Sequence, residues 1–477
     1  MRIRTALPCL IAAAMAAGVV TLVAGDPRQT PPPAQTPPPQ VPPRQPSEVF
    51  VPIVGEIGAP PRLAIADFVA LPAAAGGSAA VADKETAAVA QTIGDVLWED
   101  LKFEREFYLI PRDVIRTVPA PRGIDDVRYD RWREIGADGV LIGTVQKTAT
   151  GLLVQARLLD VRSKASGFGK EYSGSAGNPR LYAHTIADEI HLQQRRLRGV
   201  ARTKLVFASD RDGERIPGPV DLRTIKEIYI SDYDGASARR MTVTRVLNNF
   251  AVWSPDGRAI AYTSWRQGFM NIFVAYIHTG VEPATPAGGG PNAQNWLAAW
   301  SPDGTRLAFT SNRHGNPELC VINIDGTNLR RLTNHPAADT TPTWSPTGTE
   351  IAFVSDRSGS PQVYVIEADG TGLRRISKEV YCDRPTWSPA PFNEIAYAAR
   401  TGPGNDIKIY EVATGQVRQL TFGEGTNESP SFAPNGRHLA FSTTRWGRTQ
   451  IAVMGRDGND VRQITRDGNN FAPNWSR

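Results

Sequence analysis

The chain is poor in cysteine, with 3 in 477 residues, and this excludes a small fold held together by disulfides. No run of five or six like charges occurs, and the formal charge is only +5. Two of the arginines behind that value, Arg2 and Arg4, fall in a segment read below as removed. The chain therefore lacks the basic footprint of a nucleic-acid or acidic-membrane binder. After the first two dozen residues no apolar stretch is long enough to cross a bilayer, and no G-x-S-x-G elbow of a serine hydrolase is present. At 41% hydrophobic residues the chain is also not a wholly disordered one.

Proline is what the sequence has in local excess. Positions 27 to 61 carry 13 of the 38 prolines, a density that favours extended polyproline II and cannot bury a core. Before this tract, residues 1–24 show early arginines, a nearly apolar run from Ala6 to Val23 and the small residues Ala24 and Gly25. This is the layout of a cleaved secretory signal peptide. Export to the periplasm as a soluble protein follows as an expectation, with residues 25–61 acting as a proline-rich linker and extended segment.

Residues 62–199 alternate strand and helix signals. Arg62 to Phe68 reads as a strand, and Asp83 caps a helix with Val89, Ile93, Val96, Leu97 and Leu101 on one face. Phe107 to Ile110, Gly139 to Val145, Leu152 to Val161 and Phe168 to Tyr172 read as strands, and Trp132 to Ile135 as helical. A last helix starts at Asn178-Pro179 and is expected to end at Gly199. His184, Asp188 and His191 share one face of it, but with no H-E-x-x-H pattern and no further ligand class they read as a surface or interface stripe rather than a metal site.

Residues 200–477 are a repeat. Trp253-Ser-Pro-Asp-Gly returns at Trp300 and, with Thr347 in place of the aspartate, at Trp344; degenerate copies follow at Trp387 and Phe432, and a truncated one at Trp475. A spacing in the forties with several short strands per unit is the signature of a β-propeller. Asp-Gly hairpins recur at Asp325, Asp369 and Asp457, where a tight turn needs positive φ. The tryptophans are expected to pack between neighbouring blades. The first three propeller strands lack a tryptophan strand, and the final segment supplies one without successors. Joined, they make one blade of a closed six-bladed ring. The expected fold is therefore multidomain, a small α/β N-terminal domain followed by an all-β six-bladed propeller.

Two further patterns read as bland. Asp232-Tyr233-Asp234-Gly235 resembles a fragment of a calcium loop but lacks its other ligands, and is taken as a hairpin turn. Cys320 and Cys382 fall in blades three and five, too far apart to bridge.

Two N-terminal motifs complete the pattern. Trp132-Arg-Glu-Ile-Gly-Ala-Asp138 leads into Val140 to Gly143, and Ala183-His-Thr-Ile-Ala-Asp-Glu-Ile190 leads through Gly199 into Thr203 to Val206. With the propeller repeats, they make the chain resemble the TolB family of the Tol-Pal system. The resemblance implies a non-enzymatic, monomeric periplasmic scaffold without cofactor or metal. It further implies docking of the peptidoglycan-associated lipoprotein Pal at the propeller's channel mouth and of the inner-membrane protein TolA by an extended N-terminal segment. Such a system serves envelope integrity and constriction during division. The channel-mouth positions it points to are Asn248, Asn249, Asn295, Asp339, Thr340, Thr341, Asp383, Arg384, Asn427, Glu428, Asn469 and Asn470. Glu48, Val49, Phe50 and Val51 are the candidate N-terminal segment, placed unusually after the proline tract. Two alternatives remain open on the residues alone: a propeller subunit gating a separate peptidase, and a TolB paralogue with another periplasmic ligand.

Overall fold

The computed structural model describes residue 53 and residues 59–73, 81–215, 224–279 and 284–477; the leader, the proline tract and Glu48 to Val51 lie outside these. The α/β layer is built on strand Arg62–Ile65, which pairs in parallel with Tyr108–Leu109 and with Gly139–Lys147. Leu152–Asp160 and Ser166–Gly174 extend the sheet antiparallel, and Val69–Leu71 pairs farther along Gly139–Lys147. Parallel pairing needs a crossover, supplied by helix α1, Lys84–Glu104. Its N-cap is Asp83, whose carboxylate accepts the Thr86 N–H at 2.7 Å, and Ile93, Leu97 and Leu101 are fully buried on its inner face. Two short helices, α2 (Arg112–Ile115) and α3 (Tyr129–Glu134), pack a second core around Trp132 and Ile142.

Helix α4, Pro179–Arg195, lies against α1. It stops four residues before the expected Gly199, because Arg196 takes the left-handed conformation (φ 56°) that ends the helix. Gly199 is required for a different reason. A Cβ there would run into the Asp188 carboxylate and come within 2.9 Å of its Cα, so this is a close backbone approach rather than a cap.

Six sheets then form the ring. Their inner strands are Asn470–Trp475, Asn248–Trp253, Asn295–Trp300, Asp339–Trp344, Cys382–Trp387 and Asn427–Phe432, in blades one to six. Each repeat turn is self-braced: Ser254 donates to Asp256 at 2.6 Å and accepts the Ala259 N–H at 2.9 Å, while Gly257 supplies φ 69°. The tryptophans lie between blades as expected, the Trp300 indole donating to the Val252 carbonyl at 3.3 Å and Trp344 to Ala299 at 3.2 Å. Cys320 and Cys382 are buried and free.

Blade one is composite. The last strand, Asn470–Trp475, pairs antiparallel with the first propeller strand, Lys204–Ser209, and Glu227–Asp232 and Arg239–Arg240 complete the sheet. A single apolar core continues from Leu97 and Ile186 of the helices into Leu205, Phe207 and Trp475 of blade one and Ala440 and Val453 of blade six. Removing residues 470–477 exposes the Lys204–Ser209 edge and takes Trp475 out of that core. The truncated chain is expected to lose its single cooperative melt or to fall well below the full-length Tm; calorimetric traces that superimpose would show that closure contributes nothing.

Candidate functional site

The channel surface follows from one repeated distortion. Strand side chains alternate faces, but in all six inner strands the pairing register shifts just before the terminal aromatic. The third residue before that aromatic is left-handed in every blade: Phe250, Leu297, Thr341, Arg384, Ser429 and Ala472, with φ from 48° to 58°. None of these is glycine, so the strain is held by the surrounding ring. The bulge breaks the alternation, and in blades one, two, five and six two consecutive residues line the lumen.

Asn249, Phe250, Asp383, Arg384, Glu428, Ser429 and Phe471 accordingly line one cavity of about 250 Å³ at this mouth. Glu428 is exposed and accepts from Asn405 at 2.8 Å. Thr340 is half-buried, and Thr341 is buried deeper in the channel. Arg384 lies over the Phe250 ring, 4.0 Å from its centroid. These residues belong to blades five and two, which face each other across a six-membered ring, so their contact spans the lumen.

The other expected positions are placed differently. Asn248, Asn295, Asp339, Asn427 and Asn470 are completely buried. As first residues of the inner strands they point into the blades. Asn248 donates to Glu227 at 2.9 Å, Asn295 to Asn271 at 3.0 Å, Asn427 to Asp406 at 3.2 Å and Asn470 to Gln450 at 3.0 Å, in each case reaching the preceding blade. Asp339 instead accepts Arg357 at 2.8 Å. Asn469 is half-buried and donates to Asp210 at 2.9 Å. Polar character alone does not separate these braces from the lumen positions. Conversely, the partly exposed Phe250, Trp296, Leu297 and Phe471 were not in the expected set. Their signal is position within the repeat, not polarity.

The TolB amino-terminal domain family matches residues 51–166, and the TolB β-propeller domain family matches residues 196–477, more than half of the chain. This chain belongs to the TolB family. A Tol-Pal system protein TolB from Bordetella pertussis is 31% identical over 73% of this chain and 77% of its own length. One of the same name from Desulfosudis oleivorans is 32% identical over 39% of this chain, and the match spans only 41% of that relative. The crystal structure of TolB from Acinetobacter baumannii superimposes with a TM-score of 0.72 over 88% of this chain and 97% of that one, at 24% identity, and shares the fold.

In this TolB-family chain His184, Asp188 and His191 form the interface stripe, not the surface one, since all three are buried. His184 is buried and donates from Nδ1 to Asp100 of α1 at 2.8 Å, not to Asp188. Asp100 also accepts the Tyr233 hydroxyl at 2.9 Å. Asp188 instead accepts the Ala201 N–H at 2.8 Å and pairs with Arg202, fastening the link into the propeller. His191 is buried separately, against the Ala187 carbonyl at 3.0 Å and Phe107. The Asp232 to Gly235 hairpin, bland in sequence, closes the network: Asp232 pairs with Lys204 and Arg180, and Asp234 with Arg180.

Burial opposes charge on His184, but the hydrogen-bonded Asp100 carboxylate and the Asp232 carboxylate 3.9 Å from its Nε2 outweigh it and raise the imidazole to about 9. Burial, with the neighbouring Asp188 and Glu106 charges adding to it, pushes Glu104, which accepts the Val200 N–H at 2.7 Å, up to about 8. Burial also lowers His191 to about 4 and His438 to about 3. The two raised groups stabilise the folded state at low pH and lose that contribution as pH rises through their folded values; the two depressed histidines do the reverse. His184→Gln is therefore expected to lower Tm at about pH 6, with the gap to the parent closing by about pH 10. A gap that stays constant across paired thermal melts would show that His184 is not charged in the fold.

Proposed function

We propose that this chain is a non-enzymatic periplasmic scaffold of a Tol-Pal-like system, whose propeller mouth docks a Pal-like peptidoglycan-associated lipoprotein. The observation that carries this reading is the bulged lumen ring. It presents the aromatic side chains of Phe250 and Phe471 beside the charges of Asp383, Arg384 and Glu428, with Leu297 deeper in the channel. Large rigid aromatics interspersed with polar groups are the composition from which protein-binding hot spots are made. The ring holds them on a rigid frame, so docking costs little ordering entropy.

Family membership supports the same reading, since the curated relatives carry Tol-Pal names. The sequence lacks a nucleophile elbow, and the mouth gathers no Ser-His-Asp or Cys-His arrangement among the described residues. Among the described residues no helix is long and apolar enough to cross a membrane. A link to a TolA-like inner-membrane protein through Glu48 to Val51 belongs to the same proposal and is tested separately by deleting those residues.

Envelope extracts passed over the immobilised mature protein are expected to yield a Pal-like lipoprotein. Glu428→Lys should weaken that capture by about tenfold or more with little change in Tm, because an exposed charge of the docking ring is reversed. Asn427→Ala should instead act mainly on stability, as it unpairs a buried brace. Retention of no such lipoprotein by the folded parent would overturn the reading.

A further inference from the structure

A second cavity opens beside the docking mouth rather than inside it. It lies between two loops of blade five. One is the turn Thr401 to Gly404, which joins the blade's second and third strands, Glu394–Arg400 and Asn405–Glu411. The other is Phe422 to Thr426, which carries the chain into the inner strand of blade six at Asn427. The volume is about 580 Å³. Thr426 and Thr444 line this cavity and the mouth cavity alike, so the two adjoin through one shared wall.

Close backbone approach holds the cavity in shape. A Cβ on Gly404 would come within 2.8 Å of the Thr426 hydroxyl and 3.0 Å of the Gly425 carbonyl oxygen, and one on Gly425, at φ 77°, within 2.7 Å of the Arg445 nitrogen. Only glycine lets these loops pack so tightly. The carboxylate at the floor is fully engaged. Asp406 is buried; one oxygen accepts Thr421 at 2.8 Å, the Gly423 N–H at 3.0 Å and Asn427 at 3.2 Å, and the other accepts Thr401 and, at 3.3 Å, Gln419. No free carboxylate is left there for a cation. The apolar groups, by contrast, face water. Phe422 lines the cavity and is 70% exposed, and Trp446, at the tip of the blade-six hairpin that contains Thr444, is 41% exposed. Among the described residues of the propeller the other exposed aromatic is Tyr276, at the end of its strand away from the mouth. Two large aromatics left in water at one preformed cavity mark a docking surface.

We propose that this cavity takes an uncharged loop tip of the lipoprotein docked at the mouth, headed by an aromatic residue whose ring packs against Phe422 and Pro403 while its flank meets Trp446. The inference rests on the docking reading and adds to it the side of the ring at which the partner is anchored and the chemistry of the anchor. The occupant is the same partner because the cavity and the mouth share a wall. An aromatic seated in a formed pocket at the edge of a polar mouth is the arrangement that concentrates binding energy in a few side chains. The tightly packed glycine loops keep the ordering cost of that seating low.

The test titrates the soluble domain of the Pal-like lipoprotein from the same organism into the full mature chain by calorimetry. Phe422→Ser should weaken binding by about tenfold or more with Tm unchanged, since the side chain it removes lies in water in the free protein. Gly402→Trp should weaken it as much by filling the cavity, because a Cβ at Gly402 meets nothing within 4 Å. Should Gly402→Trp lower Tm, Phe422→Ser alone decides. Tyr276→Ser, away from the mouth, should bind as the parent does. If Phe422→Ser binds like the parent, the anchor falls while the docking reading stands; if the parent itself binds no such domain, both fall. A concentration-dependent dimer of the parent that Phe422→Ser abolishes would assign the surface to a second copy of the chain and overturn the proposal in that way.

Discussion

Four of the six blades are tied to the one before them by a buried asparagine at the start of the inner strand, and the geometry of the channel depends on that tie. Asn248, Asn295, Asn427 and Asn470 each reach one of the first three residues of the previous blade's third strand. Three of those four acceptors are also held by a hydroxyl: Thr242 bonds Glu227, Thr421 bonds Asp406 at 2.8 Å and Thr465 bonds Gln450 at 2.7 Å. The same hydroxyls accept backbone N–H groups of the third strand, at 2.9 Å for Ile228 and Ile407. A buried polar network of this kind rigidifies when every member is satisfied and is costly when one is lost. It fixes where each inner strand begins. The bulge that follows therefore falls at the same height in all six blades, and a ring of paired lumen side chains results.

The frame is continued by the α/β layer. Its apolar core merges with blades one and six through Leu205, Trp475, Ala440 and Val453. Beside this core lies a charged seam in which Asp100 bonds His184 and Tyr233, and Asp232, 3.9 Å from the other His184 nitrogen, pairs with Arg180. Buried charges are tolerable only when paired and hydrogen-bonded, so the seam specifies one seating of the helices on the propeller. Arg198 reaches the channel because the link between the two halves, residues 196–203, is pinned here by Asp188 and Glu104.

Two surfaces with different chemistry follow along one axis. The mouth mixes aromatics with charges of both signs and is exposed, which suits a protein partner. Behind it lies a cavity of about 500 Å³ walled mainly by the inner-strand tryptophans and the prolines that follow them. Phe250 and Arg384 separate them. They do so because six-bladed symmetry places blades two and five opposite one another and the bulge aims both side chains inward.

The repeat made the propeller legible in the sequence. A Trp-Ser-Pro turn in the forties-residue rhythm, the Asp-Gly hairpins and the orphan tryptophan strand at the end are local signals, and local signals determine blade count and closure. The α1 cap at Asp83 and its apolar face were legible for the same reason. What the sequence did not separate was brace from rim. Asn248 and Asn249 are neighbours of one residue type, yet the strand's alternation buries the first while the second lies at the mouth. Nor did it show His184 turning to Asp100, 84 residues away, or Gly199 yielding to Asp188. Those depend on how α4 seats against α1 and the propeller. Spacing along the chain thus determined the architecture and the family, and only closure of the ring decided which side chains face the lumen, because direction toward a channel is a property of six strands together.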